Sequence, residues 1–197
     1  MAVDLEELLV PDPGAWRAWL EEHHDTSPGV WLVLTKKGGT RTTMTWATAV
    51  DEALCFGWID GQARRRDDET SLQRMTPRRP RSMWSARNVA HIDRLEREGR
   101  MTPAGRAAVE AAKADGRWDA AYAPPSEAVV PDDLLAAIAA DPAAQAMFEV
   151  LTKTNRYALI HRLGQVKRAE TRERRIGEFV AMLARQETVY PQRARPD

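Results

Sequence analysis

The sequence lacks the features on which several common kinds of functional site depend. Of its 197 residues only one, Cys55, is a cysteine, which excludes an internal disulfide and a cysteine-rich zinc or iron–sulfur site. The four histidines show no HxxxH or HxH spacing, and neither a glycine-rich phosphate-binding motif nor a GxSxG motif occurs. We therefore expect no metal site built from local ligands, no cofactor and none of the standard nucleotide-binding or hydrolase centres.

Long hydrophobic runs and a basic N-terminus are also missing. The longest apolar runs are short, such as residues 30–34 (VWLVL), whereas a bilayer-spanning helix needs about 18 apolar residues. The chain begins with MAVDLEE, which is acidic where a signal peptide is basic. We expect a cytoplasmic protein without membrane insertion. Apolar residues make up 43% of the chain, which is enough to form a packed core.

The net charge is zero, but the charges are unevenly distributed along the chain. Residues 1–60 carry 4 basic and 10 acidic groups, which gives a net charge of −6. Residues 61–100 carry 11 basic and 6 acidic groups, which gives +5, and residues 101–197 carry 14 and 13, which gives +1. The marked positive excess therefore lies in the middle segment.

Helix-start signals and apolar periodicity predict an α+β fold. Asp12 and Pro13 are typical of a helix start, because aspartate caps the first turn and proline suits the first helical position. Residues 30–34 predict a strand that is buried on both faces. Residues 58–62 and 70–76 fit the two strands of a hairpin, so the sheet is expected to be small and antiparallel.

The second half of the chain shows helical patterns only. Apolar residues recur at helical spacing in two stretches, and they are Tyr157, Ile160 and Leu163, then Ile176, Phe179, Val180 and Leu183. The domains predicted from these patterns are an α+β core over residues 1–122, a helical region over 123–190 packed on it, and a frayed tail over 191–197. Residues 123–126 (APPS) are the best candidate for a linker.

The most promising binding site combines a carboxylate with a basic loop stiffened by prolines. Asp60 lies in an apolar stretch, and a buried carboxylate needs a partner. Residues 76–85 (TPRRPRSMWS), here called the arginine loop, precede a helix start, and both arginine side chains and helix N-termini bind anions. We predict that Asp60 pairs with an arginine of this loop. The predicted ligand-binding residues are Trp58, Asp60, Arg78, Arg79, Arg81, Ser82 and Trp84.

Structural alternatives exist for each of these features. Asp60 can serve a structural ion pair or a turn cap, and the loop arginines can balance the acidic first third of the chain. Cys55 lies at a predicted helix end, where the helix dipole disfavours a thiolate, so we expect it to be a buried and inert small side chain.

Four blocks of sequence carry a family resemblance. They are residues 52–61 (EALCFGWIDG), 76–85 (TPRRPRSMWS), 98–105 (EGRMTPAG) and 171–176 (TRERRI). With these blocks in order, the chain resembles the bacterial YdeI/OmpD-associated family, also labelled bacteriocin-protection proteins, from about Pro28 to Leu183. It departs from the family at Met75, where an aromatic residue is more usual, so a stacking contact is not expected there.

The resemblance implies a cytosolic bacterial protein linked to tolerance of antimicrobial peptides, envelope stress or bacteriocins, and it brings no established reaction. Together with the arginine loop it leads to our first hypothesis, a stress-protection protein that binds a small anionic ligand or a protein partner without catalysis. One alternative is a nucleic-acid-binding regulator that uses residues 64–87, although the acidic residues 67–69 weaken this basic stretch. Another is an enzyme with Asp60 as its acid or base.

Overall fold

The computed structural model describes residues 4–124, 127–166 and 168–196. The chain forms two compact units, Met1–Ala121 and Tyr122–Asp197. Within the described ranges the first unit contains a four-stranded sheet and four helices, and the second contains four more helices. The predicted α+β class is therefore confirmed. Of the linker candidate, residues 125 and 126 lie outside the described ranges.

The first unit begins with alternating strands and helices and continues with a hairpin of two strands and two consecutive helices. Its elements are β1 (Glu7–Leu8), α1 (Pro13–His23), β2 (Val30–Thr35), α2 (Trp46–Cys55), β3 (Trp58–Arg65), β4 (Thr70–Pro77), α3 (Ala86–Arg97) and α4 (Pro103–Ala114). The sheet order is β1-β2-β4-β3, with β2, β4 and β3 antiparallel as predicted. β1, which runs parallel to β2, was not predicted. A strand of two residues is too short to show an alternation of apolar and polar residues.

Side-chain caps start the helices where the sequence indicates. The Asp12 carboxylate accepts a hydrogen bond from the Ala15 amide at 2.9 Å, and Pro13 occupies the first helical turn. Ser85 and Thr102 cap α3 and α4 in the same way. Each cap satisfies an amide that the helix itself leaves unpaired, so these boundaries follow from local chemistry.

The two faces of the sheet bury different sets of side chains. Val30, Leu32 and Leu34 of β2 belong to the main core with α1, α2 and α3. The alternate residues Trp31 and Val33 form a smaller cluster with Leu5 and Leu72. β2 is thus buried on both faces, as predicted, since it lies inside the sheet.

The second unit is a helical bundle with a core of its own. Its helices are α5 (Asp132–Ala139), α6 (Pro142–Glu149), α7 (Lys153–Gly164) and α8 (Ala169–Ala184). The predicted inward positions of α8, Ile176, Phe179 and Leu183, are buried in this core. This agreement shows that the 3.6-residue period of α8 reflects its packing.

Two details of the second unit differ from the sequence prediction. The buried side of α7 carries Asn155, Ala158, Leu159 and Leu163, whereas the expected Tyr157 and Ile160 are only half-buried. The sequence prediction placed the buried face of α7 from apolar residues alone. It was wrong because the polar Asn155 occupies a position in the core. Within the tail predicted to be frayed, residues 191–197, the side chain of Gln192 bonds to Asn155, as does the backbone of Tyr190 just before it.

Candidate functional site

The two tryptophans predicted to contact a ligand are core residues. Trp58 is fully buried, donates its indole N–H to the His24 carbonyl at 3.0 Å, and packs edge-on against Trp16 and Trp19. Trp84 is also buried and packs against Trp118. Both rings are therefore engaged with core neighbours, and Trp58 has no exposed surface.

Asp60 has a different partner from the one expected. The β3–β4 hairpin forms as predicted and places Trp58 opposite Pro77 and Asp60 opposite Met75. However, the Asp60 carboxylate accepts a hydrogen bond from the Trp46 indole at 3.1 Å, and no ion pair joins it to an arginine of the described chain. The ion pair with Arg78, Arg79 or Arg81 does not form, and the first turn of α2 supplies a neutral donor to the carboxylate instead.

The arginine loop is a folded turn that leaves two guanidinium groups exposed. The Ser82 hydroxyl accepts the Arg79 amide at 3.0 Å, and the Ser82 carbonyl accepts a hydrogen bond from Arg117. Arg79 and Arg81 are exposed, and neither side chain forms an ion pair within the described chain. Ser82 therefore shapes the turn, while the two arginines face solvent.

Arg78 connects this turn to the core. Its guanidinium carbon lies 3.5 Å from the centre of the Trp84 ring, and Nη1 donates to the Met83 carbonyl at 3.2 Å. The backbone amide of Arg78 bonds to the Gly57 carbonyl at 3.0 Å. The Trp84 ring thus stacks under the Arg78 guanidinium group. The indole N–H of Trp84 has no hydrogen-bond acceptor among the described residues.

A buried carboxylate on α2 escaped the sequence analysis. Only 9% of the Glu52 side chain is exposed, and it accepts hydrogen bonds from Arg17 at 2.9 Å and Arg100 at 2.6 Å. Two arginines compensate the desolvation of one carboxylate, which would otherwise be costly. The sequence contained only a weak indication of this burial, since Asp51 and Glu52 are the only charged residues in a mostly apolar helix.

The neighbouring Asp51 is neutralised in the same manner. Arg94 binds both of its carboxylate oxygens at 2.7 Å, and His91 contacts Oδ1 at 2.8 Å. Burial by itself would raise the pKa of Asp51, but the hydrogen bonds from Arg94 and His91 outweigh it and hold the pKa below its usual range. Both acidic residues of α2 are therefore committed to ion pairs within the first unit.

The pKa of Asp51 predicts how stability responds to acid. A carboxyl whose pKa is lower in the folded state stabilises the fold above its unfolded pKa, near 3.9, and loses that effect as the pH falls through the folded pKa. We expect Asp51→Asn to destabilise the first unit at pH 7, and the difference from the parent protein to shrink below about pH 4. Urea unfolding between pH 7 and pH 3 measures this. A difference that does not change with pH would contradict it.

Cys55 is buried at the end of α2, as predicted. Burial, followed by the nearby charge of Glu52, raises the pKa of its thiol to about 11. Because the thiolate is the reactive form, we expect the native protein to react with a disulfide reagent at least ~100-fold more slowly than the urea-unfolded chain. Rapid stoichiometric labelling of native protein at pH 7.5 would contradict an inert thiol.

Two of the sequence blocks meet at Cys55. The Thr102 amide and hydroxyl both donate to the Cys55 carbonyl, at 3.1 and 2.6 Å. A Cβ atom on Gly105 would collide with that carbonyl oxygen and lie 2.7 Å from its carbon. With the Glu52–Arg100 pair, these contacts show that blocks 52–61 and 98–105 are matched by packing between α2 and α4.

Two known families match different parts of the chain, one within each compact unit. Residues 8–108, half of the chain, match a family described as a domain of unknown function, DUF8412. Residues 127–186 match the family described as bacteriocin-protection, YdeI or OmpD-associated. No curated protein and no solved structure matches the chain. None of the helices in the described ranges is both long and apolar enough to cross a bilayer, and no group of three metal-binding side chains occurs there.

The family matches also refine the sequence resemblance. Block 171–176 lies within the YdeI/OmpD-associated match, whereas blocks 52–61, 76–85 and 98–105 lie within the other match. The resemblance is confirmed, over a shorter part of the chain than the sequence blocks indicated. The chain therefore belongs to the DUF8412 family over its first unit and carries a bacteriocin-protection, YdeI or OmpD-associated segment in its second.

Proposed function

We propose that this protein acts in the bacterial cytoplasm in stress or antimicrobial tolerance by binding a small anion at the arginine loop, without catalysis. The anion carries a phosphate or carboxylate group, which arginine recognises through paired N–H donors. The observation that carries the proposal is the pair of exposed side chains, Arg79 and Arg81, on a turn fixed by hydrogen bonds.

The surroundings of the turn favour an anion further. Arg78 stacks on Trp84 at 3.5 Å, which holds its guanidinium in one plane. Two acidic groups of the first unit have other partners, since Asp60 bonds to Trp46, and Glu52 to Arg17 and Arg100. Of the predicted site residues, Arg78, Arg79, Arg81 and Ser82 would bind or shape the ligand site, and Trp84 would support Arg78.

The reactive groups of α2, two carboxylates and one thiol, are poorly suited to catalysis. Asp51 and Glu52 are neutralised by arginines, so neither is a free base. A Cys55 thiol with a pKa near 11 is protonated at neutral pH and makes a poor nucleophile. These groups support the core, which agrees with a binding function.

Anion binding should stabilise the folded protein. At a ligand concentration 100 times the Kd, linkage contributes about 2.7 kcal/mol, which for a unit of the length of Met1–Ala121 raises Tm by roughly 10 °C. We expect phosphate or pyrophosphate to raise the Tm of the first unit relative to chloride at equal ionic strength. Arg79→Ala should abolish that rise and leave the unliganded Tm nearly unchanged, because among the described residues its side chain forms no hydrogen bond or ion pair.

The matched control is Arg41→Ala, which removes an exposed arginine from another loop of the same unit. It should keep the full rise in Tm. An equal rise in Arg79→Ala, or no rise with any phosphate or carboxylate probe, would show that the loop does not bind small anions. A response to acidic peptides alone would instead favour a protein partner.

One observation favours nucleic-acid binding as a second candidate function. The Arg64 guanidinium lies 3.9 Å from the centre of the Trp31 ring, and Arg74 pairs directly with Trp31 across β2 and β4. The three side chains therefore share one face of the sheet, where the buried Trp31 ring supports Arg64 and the arginines can bind phosphate groups. Against this function, Arg65 pairs with Asp68, and Arg66 with Glu7 and Asp67.

Salt dependence separates the two candidates. Binding of single-stranded nucleic acid through several phosphates should weaken steeply as salt increases, with a slope that falls in Arg64→Ala. Fluorescence anisotropy of a labelled oligonucleotide between 50 and 200 mM salt, values chosen to span about a tenfold change or more in affinity, measures this. Absence of binding at the lowest salt would eliminate the second candidate.

A further inference from the structure

The second unit contains a cleft lined by two of the three tyrosines of this chain and by one histidine, which the third tyrosine contacts. The sequence has three tyrosines, and all of them lie in Tyr122–Asp197. Tyr157 and Tyr190 line the cleft with His161, and the Tyr122 ring meets His161 edge-on at 5.0 Å. The first unit, by contrast, holds all seven tryptophans and no tyrosine. The cleft is thus a local concentration of one type of aromatic ring.

The cleft is built on one side of α7. Thr154, Tyr157, Ala158, His161 and Arg162 follow one another at helical spacing, and Tyr190 closes the cleft from the segment after α8. The cleft has a volume of about 200 Å³. A cavity of about 150 Å³ holds one benzene molecule, so this cleft has room for a single ring with one small substituent.

A buried asparagine fixes the position of Tyr190. Asn155 is 2% exposed, accepts the Tyr190 amide at 2.8 Å and donates to the Tyr190 carbonyl at 3.0 Å. Asn155 also donates to Gln192, whose side chain bonds in turn to the Thr152 amide and the Val150 carbonyl. The hydrogen bonds of Tyr190 and Gln192 therefore hold this segment against the start of α7. The Tyr190 ring itself is 49% exposed.

The polar groups of the cleft favour a negative charge. Among the described residues, its lining contains Arg162 and His161 but no aspartate or glutamate. Arg162 is exposed, and its side chain forms no ion pair or hydrogen bond within the described ranges. Burial, and then the neighbouring Tyr122, raises the pKa of Tyr157, whose hydroxyl donates to the Ala123 carbonyl at 3.4 Å and adds no negative charge to the cleft.

We propose that this cleft binds an aromatic monocarboxylate of one ring, with the ring between Tyr157, His161 and Tyr190 and the carboxylate on Arg162. Aromatic rings pack well against the faces and edges of tyrosine and histidine. Arginine binds a carboxylate through two parallel N–H donors, and Thr154 supplies a further hydroxyl at the rim. The proposal concerns a different unit from the arginine loop and does not depend on it.

Benzoate is the probe, and the tyrosines themselves report on its binding. With ring-labelled tyrosine, the NMR spectrum of the full chain contains signals from only three residues, all in the second unit. We expect benzoate to shift the Tyr157 and Tyr190 signals saturably, with a Kd on the order of 10⁻⁴–10⁻³ M, the range for so small a ligand. Cyclohexanecarboxylate, which lacks the aromatic ring, and benzyl alcohol, which lacks the charge, should each bind at least ~10-fold more weakly.

Three variants test whether Arg162 binds the carboxylate of benzoate. Arg162→Gln should weaken benzoate binding at least ~10-fold while the three tyrosine signals keep their unliganded positions. Arg174→Gln removes an arginine of α8 that does not line the cleft, and it should bind benzoate like the parent protein. Arg79→Ala should also bind normally, which separates this cleft from the arginine loop.

Three results would overturn the proposal. They are tyrosine signals that do not move or do not saturate, equal affinity for benzoate and cyclohexanecarboxylate, and unchanged affinity in Arg162→Gln. Benzoate binding that is lost in Arg79→Ala would place the ligand in the first unit instead.

Discussion

Replacing Gly105 with alanine is expected to lower the free energy of unfolding of the first unit by about 3 kcal/mol, at the upper end for overpacking a core. Helix propensity alone predicts the opposite sign, because alanine in a helix is favoured over glycine by about 1 kcal/mol. The added methyl group would collide with the Cys55 carbonyl, which is backbone and cannot rotate away. Relief would require α4 to move off α2 and would weaken the Thr102 hydrogen bonds to that carbonyl.

The measurement uses tryptophan fluorescence in urea, since the tryptophans lie only in the first unit. Ala107→Gly, at an exposed position in the same helix, is the matched control and should cost about 1 kcal/mol through propensity. A stabilising effect of Gly105→Ala would show that the two helices do not approach so closely.

Truncating Phe179 to alanine is expected to destabilise the second unit by about 3–5 kcal/mol. Phe179 is 4% exposed and packs in the core formed by α5, α6, α7 and α8. The loss combines the transfer free energy of the ring with the cavity that it leaves. Because the second unit lacks tryptophan, amide hydrogen exchange in α8 is the measurement that reports on it directly.

The control for Phe179 is Leu135→Ala in α5, since Leu135 is 40% exposed. A half-exposed leucine loses less buried surface, so we expect a cost below about 1 kcal/mol. A loss smaller than about 0.5 kcal/mol for Phe179→Ala would mean that this face of α8 does not pack in a core.

Most of the local structure could be predicted because it depends on neighbours in sequence. Asp12 and Thr45 cap α1 and α2 through amides three residues away, and the period of α8 places Phe179 in the core. The hairpin of β3 and β4 also forms as predicted. A two-residue strand such as β1 shows no such signal, because its only support is pairing with β2.

The candidate site was predicted less well than the fold. The turn with exposed Arg79 and Arg81 follows from its prolines and serine, but Trp58 is a core residue and Asp60 bonds to Trp46. Composition located the basic segment correctly, since charge is countable along a chain. It did not identify partners, because a side chain bonds to whichever donor the fold brings nearest.

What the sequence by itself determined, then, was the set of local elements, the class of fold and the positive segment at residues 61–100. The tertiary structure alone decided how charges are paired and where rings meet. Glu52 finds Arg17 and Arg100 at separations of 35 and 48 residues, and Asn155 holds Tyr190 from 35 residues away. Such contacts have no period or spacing in the sequence, because they arise where packed elements cross, and their energies depend on burial that only the folded chain creates.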